Sequence, residues 1–173
     1  MKISPVFRAG LGTALGVALA DQATKWWILE VVMRPPRIIE VTGFFNLLVG
    51  WNRGISFGMF NWDSAFNTWV LPLIALAIVA VLAVWLRRAE RLWLGLAIGL
   101  VIGGAIGNVI DRVLRPQHAV ADFLDFHVAG YHWPAFNLAD TAITVGAVLL
   151  VLDSLFARPE KHKFEGGEET DEG

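Results

Sequence analysis

Long apolar stretches alternate with short polar ones along this chain. Phe7–Val31, Phe66–Leu86, Leu92–Val113 and Phe136–Phe156 each come close to the ~20 residues that cross a bilayer as a helix. The pattern predicts an all-α polytopic membrane protein with four transmembrane helices. Asp21 and Lys25 interrupt the first stretch. They stand four apart, share a helix face and are placed to pair, although Lys25 is also long enough to snorkel to an interface. A basic start (Lys2, Arg8) before an apolar run is also a signal-peptide pattern. This run ends in Asp21-Gln-Ala-Thr-Lys25 rather than in a small-residue cleavage site, so we read it as a retained helix.

Between Val32 and Ala65 the period changes. Arg37–Thr42 and Phe44–Trp51 are short β-prone runs punctuated by Gly43, Gly50, Gly54 and Gly58, with Pro35-Pro36 dividing them from the first helix. They predict a small extracytoplasmic β-sheet lying on the helices, with Asn46–Asn61 as a glycine-bearing lid. The third apolar stretch carries Gly95, Gly99, Gly103 and Gly107 at i,i+4 spacing. Such a ladder lets another backbone approach closely and brings Asn108, Asp111 and Arg112 to neighbouring helices. Adjacent on one helix, Asp111 and Arg112 face different partners, and Arg112 is a candidate for fixing the loop that carries Asp122.

Composition sharpens this picture. Hydrophobic residues make up 55% of 173 residues, and charged ones only 17%. Mean hydropathy is +0.55, too apolar for an ordinary soluble domain. Basic residues gather in the N-terminal stub, at Arg87, Arg88 and Arg91, and at Arg158, Lys161 and Lys163, which places both termini in the cytoplasm. The tail over 159–173 is acidic and reads as disordered, leaving 1–158 as one membrane-embedded domain. No basic stripe suits nucleic acid. With no cysteine there is no disulfide, thiolate site or cysteine nucleophile, and the four histidines lack metal-ligand spacing. No cofactor motif is present, and the serines have no evident base.

The chemistry then falls to acids. Asp122 and Asp140 flank the start of the last apolar stretch, where a carboxylate beside hydrocarbon needs a reason. Two close carboxyls can share one proton and activate a water. Each also has a plainer reading: Asp140 as the third residue of a helix capped by Asn137, Asp122 as a loop acid with Asp125 as its neighbour and competitor. Asn52 and Arg53, in a glycine-rich turn, are placed to face a bound peptide. A structural membrane protein and an acid-dependent ion carrier remain open on these residues alone.

Five segments carry a resemblance: Asp21–Lys25, Trp51–Gly58, Gly103–Arg112, Val120–Phe123 and Pro134–Asp140. In order and content they resemble the motif series of lipoprotein signal peptidase, the signal peptidase II family. The resemblance implies a four-helix inner-membrane aspartic endopeptidase with a periplasmic sheet cradle and active site. It would cleave diacylglyceryl-modified prolipoproteins before the lipidated cysteine, beside membrane lipid, and bind globomycin-type inhibitors. It implies Asp122 and Asp140 as the catalytic pair. Asp21, Lys25, Asn52, Gly54, Asn108, Asp111, Arg112, Asn137 and Ala139 match supporting or substrate-contacting positions, and no metal is involved.

Overall fold

The computed structural model describes residues 3–54 and 65–156. Helix α1 spans Pro5–Trp27. Ser4 caps it by accepting the Phe7 N–H at 3.0 Å, and Pro5 sits where a missing N–H costs nothing. A π turn over Ile28–Val32 continues it. Strands β1 (Ile39–Thr42) and β2 (Phe45–Asn52) follow, then α2 (Ala65–Arg88) and α3 (Leu92–Leu114). Strands β3 (Val120–Val128) and β4 (Tyr131–His132) lead into α4 (Leu138–Phe156).

Among the described residues, three helices are long and apolar enough to cross a membrane: Trp69–Arg88 within α2, α3 and α4. Most of α3 is buried, because α1, α2 and α4 all pack on it. Its glycines explain how. A Cβ on Gly99 would collide with the Gly10 carbonyl of α1, and one on Gly103 would come within 2.5 Å of the Ala14 carbonyl. On another face, a Cβ on Gly104 would meet the Ala139 carbonyl of α4. The ladder is thus a close backbone seam, as its spacing predicts. Leu86, Leu94, Ile98 and Ile102 fill the core beside it.

The sheet is larger than the sequence suggests. Its antiparallel order is β1-β2-β3-β4, so the segment after α3 joins the two runs after α1. Asp122 pairs in register with Gly50, and Val120 with Asn52. The β3–β4 link is a two-residue turn at Ala129-Gly130, both with positive φ as a type I′ hairpin requires. Of the expected lid over Asn46–Asn61, Asn46–Asn52 belongs to paired strand β2 and residues 55–61 lie outside the described residues, as does the acidic tail. The paired part is held by ladder hydrogen bonds and does not form a lid.

Candidate active site

Asp122 and Asp140 come together from different elements. Asp122 stands on β3. Asp140 stands in the first turn of α4, where it forms a reciprocal cap with Asn137. The Asp140 N–H donates to Asn137 Oδ1 at 3.0 Å, and the Asn137 N–H donates to Asp140 Oδ2 at 3.2 Å. The capping reading of Asp140 is therefore correct, and the same carboxylate also accepts from Asn108 of α3. Asn137, fully buried, also donates from Nδ2 to Asp122 Oδ1 at 2.7 Å. One asparagine touches both carboxyls.

Asn108 of α3 completes the bridge. Its Nδ2 donates to Asp140 Oδ1 at 2.8 Å, while its Oδ1 accepts from Asn137 Nδ2 at 3.3 Å and from Lys25 Nζ at 3.1 Å. The ammonium has no lone pair to accept with, so it fixes which end of the Asn108 amide faces Asp140. Asn52, at the end of β2, donates from Nδ2 to Asp122 Oδ2 at 3.1 Å, and its Oδ1 accepts the Gly54 N–H at 3.1 Å. Arg53 is exposed between them.

Lys25 does not snorkel. It is fully buried, with Nζ 2.8 Å from Asp21 Oδ2 and 2.9 Å from Asp111 Oδ2. Both acids then reach the backbone beside the pair. Asp21 Oδ1 accepts the Ala139 N–H at 3.0 Å, and Asp111 Oδ2 accepts the Ala121 N–H at 3.1 Å. Each of those alanines directly precedes one carboxylate of the pair. Buried charges persist only when paired and hydrogen-bonded in this way. Thus Asp111, rather than Arg112, holds the segment carrying Asp122. Arg112 turns elsewhere and donates from Nη2 to the Gly54 carbonyl at 2.9 Å.

Two members of this network are not evident from the sequence. Gln22 Nε2 donates to Asp111 Oδ1 at 3.1 Å and to the Gly107 carbonyl at 3.0 Å. Arg115 Nε donates to Asp111 Oδ1 at 2.7 Å, and its i,i+4 spacing from Asp111 is the signal that marks it. Asp125 stands apart. Three residues from Asp122 on a strand, it points the other way, and it pairs with His132 Nδ1 at 2.9 Å and Asn46 Nδ2 at 3.0 Å. Burial works against its ionisation. The hydrogen bonds from His132 and Asn46 outweigh that and hold it below the usual carboxylate value.

Asp122 shows the opposite shift. Burial, and next the charge of Asp140, push its carboxyl up to about 7, against the hydrogen bonds of Asn52 and Asn137. A carboxyl poised there beside a second one can hold or release a proton near neutrality. Among the described residues, no group of histidines and acids has the geometry of a metal site.

A model of the family described as Signal peptidase (SPase) II matches residues 13–156. The lipoprotein signal peptidase of Methylorubrum extorquens (strain PA1) is 42% identical over 156 residues, covering 88% of this chain and 89% of its own. That of Nitrobacter hamburgensis is 43% identical over 157 residues, covering 88% and 94%, and that of Burkholderia vietnamiensis 44% over 147, covering 84% and 86%. A solved bacterial membrane enzyme superposes with a TM-score of 0.75 at 30% identity, over 91% of this chain and 94% of its own. With its family match over most of its length and a shared fold, this chain belongs to the signal peptidase II family of membrane proteases.

Proposed function

We propose that this protein is an aspartic endopeptidase that removes the signal peptide from diacylglyceryl-modified prolipoproteins, cleaving before the lipidated cysteine. The observation that carries the reading is Asn137 bridging Asp122 and Asp140. A structural membrane protein has no need for a second carboxyl beside a satisfied helix cap, still less one whose burial and neighbour hold its proton near neutrality.

Asp122 takes the proton. Asp140, which accepts hydrogen bonds from Asn108 Nδ2 and the Asn137 N–H, serves as the base. As water attacks the scissile carbonyl carbon, Asp140 accepts its proton and Asp122 protonates the carbonyl oxygen. The tetrahedral intermediate then collapses. The C–N bond breaks, Asp140 returns its proton to the departing amine, and Asp122 recovers one from the hydroxyl. The pair ends as it began, with no covalent intermediate.

Arg112 and Asn52 line a cavity of about 260 Å³ that reaches Asp140, where a peptide backbone would find hydrogen-bonding partners. A globomycin-type inhibitor would occupy the same place. Membrane lipid surrounds the bundle. We take α1 as a fourth span whose charges are tolerated because they are paired inside the protein. Both termini then lie in the cytoplasm, with the sheet and carboxyl pair near the periplasmic face of the inner membrane. Residues 1–158 form the peptidase domain and 159–173 a tail.

The test is cleavage of a detergent-solubilised, diacylglyceryl-modified prolipoprotein peptide by the wild type, Asp122→Asn and Asp140→Asn, each checked for folding by thermal melt. Cleavage by the wild type alone is expected. Full cleavage by either folded variant removes that residue from the pair.

A further inference from the structure

Two separate cavities reach Asp140. One lies between α2 and α3, and combines the side chains of Asn52, Asn108 and Arg112 with an apolar wall from Ile74 and Ile78. The other, about 360 Å³, lies between the β4–α4 connection and α4. Trp133, Pro134, Phe136, Thr141, Thr144 and Val145 line it. Asp140 is common to both linings.

The two cavities differ in chemistry. A peptide must satisfy its N–H and C=O groups wherever water is excluded, and the first cavity offers a guanidinium and two amides. The second has no charged side chain besides Asp140, and the Thr141 hydroxyl already donates to the Asn137 carbonyl at 3.0 Å. It offers mainly hydrocarbon. It is also continuous with lipid-facing surface: Val145, Val148 and Leu152 are exposed and follow one another at i,i+3/i+4 spacing along α4. From Asp140 to Leu152 the helix rises ~18 Å. That is roughly half of a ~30 Å hydrocarbon core, the depth of one leaflet. Trp133, largely exposed at the mouth, is the side chain that favours the headgroup boundary.

We propose that a fatty-acyl chain of the substrate's diacylglyceryl group lies in this second cavity and down the Thr141–Leu152 face of α4. The signal peptide occupies the cavity on the α2 side. This rests on the proposed cleavage of lipidated prolipoproteins and assigns the two limbs of that substrate to opposite sides of Asp140. A chain moving from lipid to this face gains little from burial, since one apolar medium replaces another. What the groove supplies is direction. A tethered chain running down α4 sets the modified cysteine, and with it the scissile bond, against the carboxyl pair.

The test uses a lipidated prolipoprotein peptide with a diazirine midway along one acyl chain. It is bound to folded Asp122→Asn, irradiated and mapped by mass spectrometry. Label on residues 141–152 should exceed label on residues 71–78 by roughly tenfold, the mark of one defined pose. Label concentrated on α2, or spread evenly over the lipid-facing helices, overturns the assignment. A kinetic arm compares Val145→Trp with Ala147→Trp, which lies on a different face of α4. Val145→Trp should lower kcat for the diacyl substrate about tenfold relative to Ala147→Trp, with KM little changed, because the groove orients the chain more than it binds it. Equal kcat values count against the groove. If the wild type cleaves while the label lies elsewhere, only the acyl assignment falls. If folded wild type cleaves no lipidated peptide, the proposed function falls with it.

Discussion

Asp21 of α1 accepts the backbone N–H of Ala139 at 3.0 Å across 118 positions of sequence. The contact matters because Ala139 precedes Asp140, and Asp111 makes the same contact to Ala121, which precedes Asp122. Lys25 joins the two clamps. The spacing of the carboxyl pair therefore depends on one buried ammonium that does not touch either member.

Lys25→Met should expose this dependence. It leaves Asp21 buried without its counter-charge and Asp111 with Arg115 alone, a loss of about 3–5 kcal/mol for a broken buried pair. The melting temperature should fall. At a temperature where the variant is still folded, cleavage should fall by at least ~10²-fold, because misplacement near 1 Å costs that much. Wild-type cleavage by a folded Lys25→Met would show that the clamps do not set the site.

The acids should separate cleanly. Asp122→Asn and Asp140→Asn should each lose ~10²–10⁴-fold or more in kcat. Asp125→Asn should keep cleavage within about twofold and lose only ~1 kcal/mol of stability with its His132 and Asn46 contacts. Initial rates and melts of the three variants check this. A cleavage loss in Asp125→Asn matching the other two would return Asp125 to the reaction.

The pH profile carries a sign. The mechanism needs one proton on the pair, and with Asp122 raised to about 7 that proton is lost as pH climbs through neutrality. The kcat/KM should fall on the alkaline side, with an apparent value that belongs to the pair. Asn52 donates to Asp122 and so favours its ionised form. Asn52→Ala should therefore move the alkaline limb to higher pH. A limb that stays in place or moves down would contradict the assignment of the proton to Asp122.

The glycine seam predicts a contrast. A methyl at Gly104 runs into the Ala139 carbonyl, next to Asp140, so Gly104→Ala should cost roughly 1–3 kcal/mol and reduce cleavage. Gly12 and Gly16 of the same bundle have nothing within 4 Å of an added Cβ. Alanine there should be neutral or stabilise by about 0.4–1 kcal/mol. Thermal melts of these variants give the comparison, and equal effects would argue against a close seam at Gly104.

Much was legible in the sequence because membrane helices are written in local composition. The second and third apolar stretches end within two residues of α2 and α3, and α4 starts two residues later than expected, at Leu138, because Asn137 is its cap. The pairing of Asp21 with Lys25 follows from i,i+4 spacing, and the glycine ladder announces its own close contact. Local spacing leaves Asp122 and Asp140 open between catalysis and plainer capping or loop roles, and there only the resemblance to the signal peptidase II motif series implies a pair.

Sequence alone did not determine where the polar side chains point. Lys25 was free to reach an interface, and its burial depends on a second acid, Asp111, arriving from α3. Arg112 was expected to hold the Asp122 segment, and its neighbour Asp111 does so, because the two project from the helix in different directions. The strand pairing that carries Asp122 joins residues about seventy positions apart, Asn52 with Val120, and no local pattern encodes such a register. Local periodicity specifies which face of an element is apolar. Only the packing of α1, α3, β3 and α4 together brings Asp122 and Asp140 to one asparagine, because that meeting depends on long-range contacts.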